Sequence, residues 1–403
     1  MAGRRLTPAL LTVLGFLAAV GPLAVDFFLP SFTDIATDLD VSASTVQLTL
    51  TGFLIGVAGG QLVLGPASDR FGRRPVLVVG MGLFALASIG LFFVPNIGVF
   101  IALRVVQGFG GAAGMVVARA VAVDLSTRSA SVRPLSLIMM MVGLGPIIAP
   151  PIGGLLAGVW GWRGTIGAMA IFAVIMFVLA LFAVPESLPK DQRTLGGGIT
   201  VARSLGRLLR DAALRGYLIA FALGFGGLIA YVSASPFVAQ VVLGMGPVGY
   251  SLSFAVAGTG MVLANLVNAW ISPRVGPKRM LPVGQALALI AGVGVLVLAL
   301  TGVLAIWSFI IFGFVLSAGT GLMLANATAL ALARADRARG GGSALLGASQ
   351  FVLGAAFSPL VGLAGEDTAV PMAVIIVAGV SIGVVFAWHA GRVVARERPG
   401  ADA

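Results

Sequence analysis

The sequence contains no cysteine and a single histidine, His389. Disulfides, thiolate metal sites and a histidine-based metal centre are therefore excluded. Charge is also scarce, at 10% of the 403 residues, against roughly 25% in a soluble protein. No nucleophile–base pair or phosphate-binding loop can be read from the motifs, so neither an enzyme nor a cofactor is expected. What is abundant is apolar: 59% of residues are hydrophobic, and the mean hydropathy is +1.09. The chain reads as a polytopic membrane protein. A net charge of +11 would suggest nucleic acid in a soluble chain, but here placement decides and no nucleic acid partner is expected.

A membrane-spanning helix needs about 20 mostly apolar residues. On that template twelve spans are expected, at 8–32, 44–65, 75–94, 97–119, 134–158, 164–184, 214–240, 247–271, 281–301, 304–332, 342–364 and 370–390. With both termini cytoplasmic, 23 of the 25 basic residues fall on that side, leaving Arg104 within a span and Arg163 in an outer loop. The positive-inside rule supports this orientation, and all five tryptophans fall at span ends, as an aromatic belt requires. The first span follows Arg4 and Arg5 but lacks a convincing small-residue cleavage site, and is read as a retained helix.

The longest interruption lies between spans six and seven. It divides the chain into an N-terminal six-helix bundle (1–184), a cytoplasmic linker (185–213) and a C-terminal six-helix bundle (214–403). Within the linker, Arg203, Arg207 and Arg210 recur at helical spacing opposite Val201, Leu205, Leu208 and Leu209. That pattern fits an interfacial amphipathic helix or a solvated basic linker. The halves look weakly repeated: SDRFGRRP (68–75) is echoed by SPRVGPKRM (272–280), with Gly72 and Gly276 204 residues apart. LPSF (29–32) is likewise echoed by ASPF (234–237).

Only Asp26 and Arg104 place charge deep within spans. Such a group costs at least about 2.5–3.5 kcal/mol on insertion scales and is a functional hypothesis by default. At 1.5 Å per residue, both lie roughly 10 Å below the outer ends of their helices, so they can share one level. Burial raises a carboxylate's pKa and a nearby guanidinium lowers it, a balance suited to proton exchange. Together they suggest ion-coupled transport.

Several motifs carry a resemblance. GPASDRFGRRP (65–75) resembles the major facilitator signature between spans two and three. LRVVQGFGGAAG (103–114) and GLGPIIAPPIGG (143–154) resemble the span-four and span-five motifs of drug:proton antiporters. The usual Gly-Pro-x-x-Gly-Gly core appears as Ala149-Pro150-Pro151-Ile152-Gly153-Gly154, so its leading glycine is replaced. VDFFLPSFTDIA, ARAVAVDL, PESLP and SASPF are similar to the Bcr/CflA branch, the bicyclomycin and chloramphenicol resistance transporters.

The resemblance implies an all-α membrane protein of twelve helices in two pseudo-repeated six-helix bundles. It implies a proton-coupled exporter of small amphiphilic or apolar antibiotics, monomeric, in the bacterial inner membrane and without cofactor beyond the proton gradient. Asp26 would carry the proton and Arg104 modulate it. Asp69, Arg73 and Asp124 would form a conformational latch, and Pro150, Pro151, Gly153 and Gly154 a kinked hinge. The pairs Gly110/Gly114 and Gly154/Gly158 are spaced for close helix approach. Phe27, Phe28, Gln107, Tyr231, Asn265, Asn326 and Gln350 are the cargo-contact candidates, since an amphiphile wants an aromatic wall with a few polar anchors. Asp34, past Pro30, is read as a loop residue. On the same fold, export of an endogenous metabolite or dipeptide, or proton-coupled import, are the alternatives.

Overall fold

In a bilayer every unpaired backbone N–H and C=O costs several kcal/mol, so long apolar runs fold as helices. The computed structural model describes residues 6–126, 132–193, 206, 208–335, 339–363 and 365–397, and among these there is no strand. The α-helices are α1 (Pro8–Asp26), α2 (Phe32–Asp38), α3 (Ala43–Phe71), α4 (Arg73–Phe92), α5 (Ile97–Asp124), α6 (Val132–Phe182), α7 (Ala212–Phe237), α8 (Pro247–Val275), α9 (Pro277–Leu300), α10 (Ile306–Arg334), α11 (Arg339–Phe357) and α12 (Val370–Glu397).

Eleven stretches among the described residues are long and apolar enough to cross a membrane. One of them, Pro134–Phe182, has 49 residues, roughly 70 Å of helix and twice what one crossing needs. It turns at Gly161, whose φ of 64° is non-helical, and so supplies spans five and six. The expected twelve crossings follow. Pro146, Pro150 and Pro151 lie inside α6 without ending it. The expected amphipathic helix falls mostly outside the described residues, Arg203 and Arg207 included.

Two compact units are present, residues 1–41, 48–196 and 247–252 in the first and 42–47, 197–246 and 253–403 in the second. In unit 1, α1 and α4 each pack on α5 and α6. In unit 2, α7 packs on α10, α11 and α12, and α9 packs on α10 and α12. One pattern is therefore used twice, with α6 doing in unit 1 what α11 and α12 do in unit 2. The closest backbone approaches repeat as well. A Cβ at Gly110 would lie 2.5 Å from the Gly80 carbonyl, and one at Gly284 would lie 2.7 Å from the Gly319 carbonyl. Gly56 meets the Val105 carbonyl as Gly260 meets that of Phe314. Small residues at such crossings bring helices together where lipid gives no hydrophobic drive.

The turns before α4 and α9 repeat too: Gly72 and Gly276 have φ of 103° and 88°, values that a side chain makes unfavourable. Helix α1 starts with Thr7, whose hydroxyl accepts the Leu10 N–H, and with Pro8 in its first turn. It stops at Asp26 for a local reason. Pro30 has no N–H to donate to the Asp26 carbonyl, and its ring crowds that oxygen. A 3-10 turn, Leu29–Ser31, then leads into α2.

Candidate functional site

The broken end of α1 sets the first part of the site. Asp26 is its last helical residue and is only 6% exposed. Among the described residues no hydrogen-bond donor or cation pairs with its carboxylate. Arg104 on α5 is 2% exposed and is held by acceptors other than that carboxylate. Its Nη1 donates to the Ala24 carbonyl at 3.1 Å and to Gln107 Oε1 at 2.7 Å. Its Nε donates to the Thr49 carbonyl at 3.4 Å. The Phe28 and Phe53 rings lie 4.3 and 4.4 Å from the guanidinium carbon, a desolvated cation–π arrangement worth about 2 kcal/mol.

Gln107 Nε2 passes the network on to Ser88 Oγ at 2.8 Å, and Ser88 donates to the Phe84 carbonyl. One guanidinium thus ties α1, α3, α4 and α5 together. Among the described residues Nη2 has no hydrogen-bond partner, and Arg104 helps to line a cavity with room for about one water, together with Phe28, Ser88, Phe100, Ile166 and Met169. Ala24 and Phe28, one turn apart, present their contacts to Arg104. Asp26, between them, projects about 200° round the helix from Ala24. Asp26 and Arg104 therefore share a level, as their depths in the sequence suggest, without forming an ion pair.

The second assembly is at the other end of unit 1. Arg73, at the start of α4, pairs with Asp69 on α3 and, at 3.0 Å, with Asp124 on α5. Its Nη1 also donates to Ser68 Oγ at 2.7 Å. The three latch candidates are thus joined. Glu186, which sequence reasoning left within the PESLP motif, completes the cluster. Its Oε1 accepts the Arg73 N–H at 2.9 Å and the Leu188 N–H at 3.1 Å, and its Oε2 pairs with Arg193 at 3.4 Å. Gly72 precedes α4 and offers no capping side chain, so Glu186 supplies an acceptor and a negative charge at that helix N-terminus. Ser187 donates to Asp124 at 2.8 Å. The segment after α6 is thereby seated on the ends of α4 and α5.

The remaining candidates separate. Phe28 and Gln107 belong to the Arg104 network, and Phe27 is half-buried at the C-cap of α1. Tyr231 on α7 is buried against Phe254 and Phe309, with centroids 6.1 and 5.9 Å away. Its hydroxyl lies over Gly313, where a Cβ would come within 2.6 Å. Asn326 is hydrogen-bonded to a neighbouring helix: its Nδ2 donates to Asn268 Oδ1 at 2.8 Å and its Oδ1 accepts from Ser272 at 3.1 Å. Asn265 is exposed on α8 and Gln350 half-buried on α11. Asp34 belongs to the first turn of α2, which corrects its reading as a loop residue.

In the span-five motif, Gly153 packs directly on the Phe27 backbone and Gly154 on Ser251 and the Pro247 carbonyl at the start of α8. Ala149 is buried, so its methyl is accommodated where the usual motif has none. Gly158 corrects an expectation, since a Cβ there would meet nothing within 4 Å. Among the described residues no group of His, Asp or Glu side chains is placed to hold a metal.

The profile described as Major Facilitator Superfamily matches residues 14–359. The chain is 36% identical over 378 residues to the uncharacterized MFS-type transporter YdgK of Bacillus subtilis, covering 93% of each. It is 33% identical over 359 residues to the bicyclomycin resistance protein homolog of Haemophilus influenzae, covering 89% of this chain and 90% of the relative. Among solved structures, a bacterial homolog of the human lysosomal transporter Spinster has a similar fold. Its TM-score is 0.73 at 15% identity, with 98% of each chain covered.

Proposed function

This chain belongs to the major facilitator superfamily and is a transporter rather than an enzyme, and we propose that it is a drug:proton antiporter. The observation that carries the reading is Asp26, a buried carboxylate with no counter-ion among the described residues, at the broken end of α1. An ionisable group at such depth is held for function. The similarity to a bicyclomycin resistance protein homolog supports small antibiotics as cargo, and the half-buried Phe27 next to Asp26 offers an apolar contact beside the carboxylate.

In the proposed cycle, Asp26 takes up a proton when its site opens outward, and cargo leaves. After the halves rock, the proton leaves inward and cargo binds again. Competition of ligand and proton for one site is sufficient for exchange. Asp69, Arg73 and Asp124 act as the latch, and Arg104 acts on Asp26 through the shared end of α1. The bacterial inner membrane, with both termini cytoplasmic, is the setting that fits the basic residues; the transporter works as a monomer on the proton gradient.

Vesicles loaded with purified protein test this under an imposed pH gradient, with bicyclomycin and chloramphenicol as trial cargo. Asp26→Asn should reduce cargo-driven proton movement to background while the protein still folds. Wild-type-like exchange in that variant overturns the assignment of Asp26.

A further inference from the structure

The basic end of unit 2 is organised differently from that of unit 1. Arg274 near the end of α8, Lys278 and Arg279 at the start of α9, and Arg392 and Arg396 near the end of α12 are all exposed. Among the described residues none has an acidic partner. The neighbouring acid on α12, Glu397, is engaged by Arg334 at 2.7 Å. At the corresponding turn of unit 1, Arg73 is taken up by Asp69 and Asp124, and Arg74 donates to the Leu181 carbonyl.

The basic groups of α9 and α12 come to one level because the two helices pack antiparallel, and Arg274 joins them across the short turn at Gly276. Gly292 on α9 meets Ile376 and Val377 on α12. Eleven residues earlier on α9, Leu281 shares a core cluster with Ala387 and Ala390, against which Val393 and Val394 also pack. Lys278 and Arg279 are therefore level with the exposed His389 and with Arg392. The flanks are aromatic. Arg392 lies 4.7 Å over Trp388 and Arg274 5.9 Å over Trp270; these tryptophans are 60% and 76% exposed. An exposed tryptophan at a span end sits at the headgroup level of a bilayer. The basic groups above the two rings thus stand where lipid phosphates are.

We propose that the α8–α9 turn and the last two turns of α12 form a binding site for the phosphate of an anionic phospholipid. Guanidinium groups bind phosphate oxygens bidentately, the lysine adds a point charge, and the tryptophan faces take the glycerol and upper acyl segments. The flanking tryptophans select a lipid over free phosphate, which would leave both rings unoccupied. The inference rests on reading the exposed apolar faces as lipid-facing and is independent of what the transporter carries.

Native mass spectrometry of the detergent-purified chain tests it, with equimolar dioleoyl phosphatidylglycerol and phosphatidylcholine. Retained phosphatidylglycerol should exceed phosphatidylcholine several-fold in the wild type. Each near-surface basic residue contributes toward anionic lipid on the order of 1 kcal/mol, so removing two should bring that ratio down to about one. Lys278→Gln/Arg279→Gln and Arg392→Gln/Arg396→Gln are made separately, so that one misfolded variant leaves the other informative. Arg70→Gln in unit 1 should keep the wild-type ratio. Three results each overturn the proposal: no preference in the wild type, an equal loss in Arg70→Gln, or displacement of the lipid by millimolar inorganic phosphate.

Discussion

The two units share a scaffold and differ in what they bury. Both use glycine crossings at matched positions, Gly80 with Gly110 and Gly284 with Gly319, and both turn on a left-handed glycine before their third span. Arg104 and Gly313 stand 209 residues apart, as do Phe100 and Phe309, which line comparable cavities. Where unit 1 has a guanidinium with its acceptors, unit 2 has the Tyr231 ring lying over a glycine. At the basic end the same contrast returns. Ser68 and its charged neighbours Asp69, Arg73 and Asp124 are matched in unit 2 by a neutral cluster, Ser272 with Asn268 and Asn326. Close packing is the shared requirement, whereas among the described residues fully buried charge is confined to unit 1. That is the distribution expected if one bundle carries the proton chemistry and the other supplies a neutral wall, because ionisable groups inside a membrane are retained for function.

The largest effect should come from the matched interior positions. Arg104→Met leaves the Ala24 carbonyl and Gln107 Oε1 without the donor they have in the wild type, and each unsatisfied buried acceptor costs about 1–3 kcal/mol. A loss of about 3 kcal/mol or more is expected in detergent thermal unfolding. Tyr231→Phe removes a hydroxyl that makes no hydrogen bond among the described residues, so its effect should stay within about 0.5 kcal/mol. Equal losses would break the contrast between the units. A smaller effect separates the turns. Glu186→Ala removes the cap from α4 and the partner of Arg193, and about 1–2 kcal/mol should be lost, as for other N-terminal caps. Pro277 opens α9 without a side-chain cap at Gly276, so no substitution of a capping side chain at the matching turn of unit 2 can reproduce that loss. An unchanged unfolding midpoint for Glu186→Ala would show that the segment after α6 is merely resting on α4.

Topology was legible because hydrophobic run length and basic-residue placement are local signals that need no tertiary information. Asp26 and Arg104 stood out for the same reason, and so did Asp69, Arg73 and Asp124, which the structure joins. What held Arg104 was not legible. Two of its acceptors are backbone carbonyls, which every residue carries and no pattern marks, and helical phase rather than depth kept Asp26 out of its reach. Glu186 escaped notice because 113 residues separate it from the N–H it caps. Its signal was present at Gly72, a helix start with no side chain to cap it. The spacing of Gly154 and Gly158 was over-read, because a four-residue interval identifies a face and not what lies against it.

The smallest expected effect concerns where the chain enters unit 2. Asp211 caps α7 by accepting the Leu214 N–H at 2.8 Å, and it pairs with Arg334 at 2.7 Å. Partial burial disfavours its charged form, but the Leu214 N–H and the Arg334 guanidinium outweigh that and hold its pKa below 3.8. A carboxylate with a depressed folded pKa adds stability above the unfolded value, and that stability is lost as pH falls through the folded one. Asp211→Asn keeps an oxygen for the cap and loses the ion pair, which is partly exposed and therefore worth less than about 1 kcal/mol. The difference in unfolding midpoint between wild type and Asp211→Asn should be flat from about pH 7 to about pH 5, then shrink as pH drops below 3.8. Arg334 also holds Glu397, so a remnant of the ion cluster persists in the variant and keeps the difference small. A gap that widened toward acid would mean that burial, not Arg334, governs this carboxylate, and the end of the linker would then be attached to unit 2 by its cap alone.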